Sequence, residues 1–200
     1  MGAKHGWRIG LTGGIACGKS TAAQAFETAG FRRIDTDAVV ADLLKDDVEV
    51  RSALANRWGG AVLRLDGVDK AVIAQRVFAD EAELRWLEGL LHPRVGSIWR
   101  AALEAEPKAR WLVEIPLLFE NKLETAFDRT VCVEASEALQ LQRLAAKGVT
   151  AEQAKARMRR QLPLREKVAR ADRVLSNYGE PAFLQQQVQW LVSRDFDLTR

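Results

Sequence analysis

Short apolar runs alternate along the chain with longer segments in which apolar residues recur every three or four positions. Trp7–Thr12 is apolar enough for a buried strand, and Gly13-Gly14 breaks it. Ser20–Ala29 then reads as a helix, with Ala22, Ala23, Phe26 and Ala29 on one side and Gly30 as its stop. Phe31–Ile34, Trp111–Ile115, Arg129–Val133 and Arg173–Leu175 are further strand candidates, and Pro116 prevents the one before it from continuing as a central ladder. Between the second and third strands, Ala38–Leu44, Val48–Trp58, Ala71–Phe78 and Glu81–Leu91 carry helical spacing and make a long insert with no convincing strand. Thr150-Ala151-Glu152-Gln153 spells a capping box that starts a helix running to Gln161. Leu184, Val188, Leu191 and Val192 form the apolar stripe of a closing helix. Strands alternating with helices predict an α/β domain, a parallel sheet wrapped on both faces. The insert is long enough to hold a substrate, and the basic stretch Arg143–Arg170 is a second candidate mobile piece.

Composition narrows the class of protein. The 200 residues, 48% hydrophobic and 28% charged, describe an ordinary globular chain that needs neither disulfides nor metal to hold a core. Thirty basic residues against 27 acidic ones leave a net charge of +3. That excess argues against coating nucleic acid and leaves room for a local cationic pocket. Cys17 and Cys132 stand far apart and suit a reducing cytosol. A run of about eighteen apolar residues, the length of a membrane helix, occurs nowhere. Met1–Gly6 lacks the apolar stretch of a signal peptide, and His5 reads as a solvated terminal residue. The expectation is a cytoplasmic domain that binds neither membrane nor nucleic acid and acts as a monomer or weak homo-oligomer.

The chemistry concentrates at the first strand end. Gly13-Gly14-Ile15-Ala16-Cys17-Gly18-Lys19-Ser20, followed by Thr21, fits G-x-x-x-x-G-K-[ST]. Glycines let successive amides turn inward on phosphate oxygens, and the helix starting here adds its N-terminal amides and dipole. Lys19 places a cation on the terminal phosphates and Ser20 a hydroxyl on Mg²⁺. An apolar strand before and an amphipathic helix after distinguish the motif from a chance glycine-rich turn. Asp35 and Asp37 fall at the end of the second strand, where parallel sheets open their ligand crevice. Either they serve proton transfer and Mg²⁺, or Asp37 or Thr36 caps the helix from Ala38 and Asp35 is a turn residue. Glu114 ends another buried strand, where a Walker-B-type carboxylate meets the Mg²⁺ water shell. Leu117-Leu118-Phe119 is too apolar for a solvent loop and suits substrate contact and core plug equally. By pattern alone His92 is a satisfied helix-end histidine and Cys132 a small core residue.

Taken in order, Ile9–Thr21, Ile34-Asp35-x-Asp37, Leu91-His92-Pro93, Ile115–Glu120, Gln161 and Ala171-Asp172-x-Val174-Leu175-x-Asn177-x-Gly179 closely resemble the dephospho-CoA kinase family. The resemblance implies a three-layer P-loop NTPase fold with a parallel central sheet, a helical substrate-binding insert and a helical lid. Its parts would be a core of 7–37, 108–136 and 171–200, an insert of about 38–107 and a lid of about 137–170. It implies transfer of the ATP γ-phosphate to the ribose 3′-hydroxyl of dephospho-CoA, with Mg²⁺ accompanying ATP. Asp37 would be the base, with Lys19, Arg143 and Arg157 the catalytic cations. Residues 13–21 and Asn177 would bind ATP. Asp37, His92, Pro116, Leu117, Leu118 and Glu120 would hold the acceptor, and Ser20, Asp35 and Glu114 would serve the metal. The chain departs from the family at Ala16-Cys17, where Gly-Ser is usual. Cys17 places an oxidisable thiol beside the anion. Ala145-Ala146-Lys147-Gly148 lacks an Arg-Asp pair often present in the lid.

Rival classes are weaker. A kinase of another small acceptor, such as a nucleoside monophosphate, would share the loop and lid. Asn121-Lys122-Leu123-Glu124 nearly spells the guanine-reading N-K-x-D, but its last acid is Glu and no D-x-x-G occurs in the chain. Arg157, Arg159, Arg160, Arg165, Lys167 and Arg170 form a cationic run, yet helical spacing spreads them over more than one face.

Overall fold

The computed structural model describes residues 6–196, so His5 lies outside the described residues. In chain order the elements are β1 (Arg8–Gly13), α1 (Lys19–Thr28), β2 (Arg32–Asp35), α2 (Thr36–Asp46), α3 (Val48–Trp58), β3 (Leu63–Arg64), β4 (Gly67–Val68), α4 (Lys70–Ala79) and α5 (Glu81–Ala105). There follow β5 (Trp111–Glu114), β6 (Arg129–Glu134), α6 (Glu137–Ala145), α7 (Ala151–Arg159), α8 (Leu164–Arg170), β7 (Arg173–Ser176) and α9 (Pro181–Asp195). They form two compact units. One comprises the described residues up to Ile34 and from Glu106 onward, the other Asp35–Ala105.

The first unit is built on a sheet of order β2-β5-β1-β6-β7. The pairs β1–β5, β1–β6 and β6–β7 are parallel, with Ile9 opposite Leu112, Leu11 opposite Val131, and Val133 opposite Leu175. Strands covered on both faces need apolar residues at successive positions, which is why β1 and β5 read as continuous runs. Ile9, Leu11, Leu112, Val131 and Val133 pack with Phe26 of α1 and with Leu184, Val188 and Leu191 of α9. Along β1 the side chains alternate, so Gly10 faces the other way. A Cβ there would strike Leu118 and Phe127, and glycine is what admits them. Asp172 fastens the start of β7 to β6: its Oδ2 accepts the Thr130 amide at 2.7 Å and the Thr130 hydroxyl at 2.8 Å. Parallel strands bring Gly13, Glu114, Glu134 and Ser176, their carboxyl-terminal residues, to one edge of the sheet.

The capping box at Thr150 and Gln153 forms as the sequence predicts, and α7 begins at the next residue. The second unit differs from expectation in two places. The helix read as ending at Leu91 continues through Pro93 to Ala105. Leu87, Leu91, Val95, Trp99 and Leu103 are all buried at four-residue spacing across the proline, so packing overrides the break. The ring crowds the carbonyl of the residue four back, which is the exposed Gly89. The insert also contains a strand pair, the hairpin β3–β4, with Leu63 opposite Val68 and Arg64 opposite Gly67. Asp66-Gly67 is a turn signal, but two-residue strands are too short to show a period.

Glu83 at the start of α5 gathers this unit: its carboxylate accepts Trp58 Nε1 at 2.5 Å and Arg57 Nη2 at 2.8 Å. Those hydrogen bonds, Arg57 first, hold the Glu83 carboxyl below its ordinary pKa of 4.5. The unfolded chain therefore binds the proton more readily. The pair's stabilisation is present above pH 4.5 and is lost as pH falls through the lower folded value. Thermal melts from neutral to acid pH are expected to show Glu83→Gln less stable at neutral pH and less sensitive to acid than the parent.

Candidate active site

The loop from Gly13 to Ser20 runs from the end of β1 into α1. Its conformation depends on residues that accept positive φ: Gly13 at 152°, Ala16 at 56° and Gly18 at 96°. A side chain at Gly13 would collide with the Val133 carbonyl, and one at Gly18 with Asn177 Nδ2. Ala16 is the exception, since its Cβ is carried into the left-handed region at a cost of about 1 kcal/mol. Gly18 is the N-cap of α1, and no side chain caps the helix. Its first-turn amides therefore face the loop as anion donors. Lys19 Nζ lies over the loop, 3.2 Å from Gly14 O, and Ser20 is exposed.

Two side chains hold the loop's carbonyls outward. Asn177 Nδ2, at the end of β7, donates to Cys17 O at 2.8 Å, and Arg143 of α6 donates to Ala16 O at 3.2 Å. Arg143 also donates to Asn177 O at 3.2 Å, which joins the two braces. The Cys17 side chain turns into the core and is fully buried. Burial raises its thiol above the ordinary 9.0 despite the nearby Lys19 cation. The expectation of an oxidisable thiol beside the anion is thus corrected, because a buried neutral thiol is a poor nucleophile. Cys132 is a core residue, as the sequence predicts, and burial pushes its thiol up to about 12.

The acidic candidates separate. Asp35, not Asp37 or Thr36, is the N-cap of the second helix, and Oδ1 accepts the amides of Asp37 at 2.9 Å and Ala38 at 3.3 Å. The helix starts earlier than expected, at Thr36, so the capping duty read for Asp37 falls to Asp35. Asp37 then sits in the first turn with an exposed side chain. Glu114 is buried at the end of β5, and its Oε2 accepts Arg33 Nη2 at 2.7 Å. His92 is not at a helix end; it lies exposed within α5.

After β5, Leu118 and Phe119 are buried, Leu117 is half-buried, and the Pro116 carbonyl accepts the Thr12 hydroxyl at 3.2 Å. Glu120 does not face open solvent. Its Oε1 meets the fully buried Lys167 Nζ at 2.8 Å. Sequence reasoning missed Lys167, which sits in a charged stretch that looks solvated. A cavity of about 660 Å³ opens beside the phosphate loop, lined by Gly14 and Ile15, by Gln140, and by Lys155, Met158, Arg159 and Gln161 among others. Arg157 is exposed and does not line it. Helical geometry puts Lys155 and Arg159, four apart, on one face, and their neighbour on another.

Parallel strands, a glycine-rich loop delivering amides to one edge of the sheet, and a cation-bearing helix beside that loop define a P-loop kinase. The dephospho-CoA kinase family model matches residues 7–182. The dephospho-CoA kinase of Vibrio cholerae is 36% identical over 195 residues, covering 96% of each chain. A crystal structure from Thermus thermophilus superposes with a TM-score of 0.82 at 31% identity, over 97% of this chain and 100% of that one. The dephospho-CoA kinase from Campylobacter jejuni gives a TM-score of 0.70 at 25% identity, over 94% and 96%. The chain belongs to the dephospho-CoA kinase family, and it is a kinase.

Burial of both thiols has a direct readout. Titration of the folded protein with an aromatic disulfide reagent at neutral pH is expected to leave Cys17 and Cys132 unmodified, and denaturant is expected to release both.

Proposed function

We propose that the chain transfers the γ-phosphate of ATP to the ribose 3′-hydroxyl of dephospho-CoA and works in the cytoplasm. What carries this reading is the family match over residues 7–182, a span that holds the phosphate loop, the Asp35–Asp37 turn and the Pro116–Glu120 segment together. The insert, about 38–107, is read as the acceptor-holding part, contributing His92, and residues 137–170 as the lid. Pro116, Leu117, Leu118 and Glu120 shape the acceptor's side of the core, with Leu118 acting from beneath as a plug.

Phosphoryl transfer leaves the protein the work of alignment and charge neutralisation. The amides of residues 13–21 and Lys19 hold the β- and γ-phosphates, while Asn177 and Arg143 keep the loop in shape. Among the described residues no group of three or more His, Cys, Asp or Glu is placed to hold a metal ion. The donors present, Ser20 with Asp35 and Glu114, suit Mg²⁺ arriving on the nucleotide with its own phosphate and water ligands. Bound there, the ion neutralises charge on the phosphates. The Glu114 carboxylate is also held by Arg33, through Oε2. Asp37 accepts the proton of the ribose hydroxyl. A carboxylate is a weak base for an alcohol, so holding the hydroxyl in line contributes more than basicity. Lys155 and Arg159, which line the cavity beside Gly14 and Ile15, screen the equatorial oxygens.

The decisive assay incubates the protein with ATP, Mg²⁺ and dephospho-CoA and locates the new phosphate by mass and position. Coenzyme A phosphorylated at the 3′-position is expected. Turnover of nucleoside monophosphates in preference would overturn the assignment. Asp37→Asn is expected to lower kcat by about 100-fold or more with ATP binding kept, as read by steady-state kinetics beside nucleotide titration. Lys19→Ala should abolish turnover and weaken nucleotide binding. Arg159→Ala should lower kcat by about tenfold or more, and by more than Lys147→Ala does.

A further inference from the structure

Lys167 is fully buried on α8, yet nothing in the reaction described above uses it. Its ammonium donates to Pro116 O at 2.8 Å and meets Glu120 Oε1 at 2.8 Å. The same Glu120 oxygen accepts the Leu162 amide at 2.8 Å. Three segments therefore meet at one ion pair. The first is the base of the phosphate loop, because the Pro116 carbonyl that takes Lys167 also takes the Thr12 hydroxyl, one residue before Gly13. The second is the segment after β5. The third is the return from α7, whose Gln161, Leu162, Pro163 and Leu164 line the cavity together with Gly14 and Ile15. A second tie joins the last two segments, since Arg170 of α8 pairs with Glu124 and lies 4.7 Å over the Phe119 ring.

By contrast α7 is lightly held. Ala154 is its one buried residue. The turn before it contains Gly148 at φ 76°, where an added Cβ would meet nothing within 4 Å. One end of the segment is thus a short, uncrowded turn hydrogen-bonded only to the last turn of α6, and the other is moored to the core through a buried charge pair. Such pairs contribute little net stability compared with an apolar replacement, and their best-attested use is to fix one arrangement over its alternatives.

We propose that Glu120 and Lys167 are positioning residues. They anchor the return segment Gln161–Leu164 to the base of the phosphate loop, so that α7 closes about a fixed point and carries Lys155 and Arg159 to one place over the phosphates. The inference rests on the lid reading of α7 given under the proposed function. It also changes the role of Glu120, from a group that touches the acceptor to one that acts through Leu162 and Lys167.

A double-mutant cycle of Glu120→Gln, Lys167→Met and the pair separates the two roles. Glu120→Gln keeps the shape and the acceptor for the Leu162 amide and removes the charge facing Lys167. The anchor predicts that kcat falls about tenfold in each single variant with KM for dephospho-CoA kept within about twofold, and that the double variant loses no more than the worse single one. A rise in KM for dephospho-CoA in Glu120→Gln alone, independent losses that multiply, or unchanged kcat would overturn it. Lys167→Met leaves the Glu120 charge unpaired; if that variant does not fold, the double variant, which has no orphaned charge, is compared with Glu120→Gln instead. Hydrogen exchange over residues 149–163 is read in parallel, with and without a non-hydrolysable ATP analogue and Mg²⁺. Nucleotide is expected to protect this segment in the parent and much less in Glu120→Gln, and equal protection would overturn the anchor. This readout needs nucleotide alone. A parent that is protected by nucleotide but does not turn over dephospho-CoA would refute the acceptor assignment and leave the anchor to be judged on exchange.

Discussion

Everything at this site depends on peptide amides that converge on an anion, and amides converge only if the carbonyls between them are turned away. In this chain two such carbonyls, at positions 16 and 17, are held by Arg143 and Asn177. Arg143 comes from α6 and Asn177 follows β7, so the loop's conformation is set by parts of the fold distant in sequence. Buried carbonyls without partners are costly, and satisfying them from outside leaves the amides available inside. The loop is therefore preorganised by the sheet edge and is not a flexible glycine tract. Preorganised dipoles act without reorganising when charge develops, which is their main value in phosphoryl transfer.

The sheet supplies the rigidity that this requires. β1 is flanked by β5 on one side and β6 on the other, so both sides of the strand that launches the loop are hydrogen-bonded. Side chains from α1 and α9 close one face, and Leu118 and Phe127 reach Gly10 on the other. The apolar segment after β5 thus serves the core through Leu118 and Phe119, and its backbone serves the site through the Pro116 carbonyl.

Local signals in the sequence were sufficient where local physics decides the structure. The strand-loop-helix at residues 8–28, the box at Thr150 and the stripe of α9 all follow from spacing and residue type. They failed where tertiary packing outweighs a local preference. Pro93 reads as a stop, but five buried residues spaced along α5 carry the helix past it. Asp37 or Thr36 reads as the cap of a helix from Ala38 and Asp35 as a turn residue, but the helix starts at Thr36, and the backbone at Asp35 turns its carboxylate onto the right amides. On α7, three cations at alternate positions from 155 to 159 give no reason to choose among them; the helix's orientation puts Lys155 and Arg159 toward the cavity. Lys167 carried no signal at all. Flanked by Arg165 and Glu166, it has the look of a solvated residue, and its burial arises from partners 47 and 51 positions earlier.

The steric surroundings of the phosphate loop also constrain how such loops diverge. At residues 13 and 18 any substituent would run into the Val133 carbonyl or the Asn177 amide, whereas residue 16 has accepted a methyl and residue 17 points a thiol into the interior. Variation is thereby channelled to the middle of the turn and excluded from its two ends. The two crowded glycines are thus demanded by their surroundings and not by the loop's own flexibility, and a partner residue as remote as Asn177 is bound to one of them by want of space.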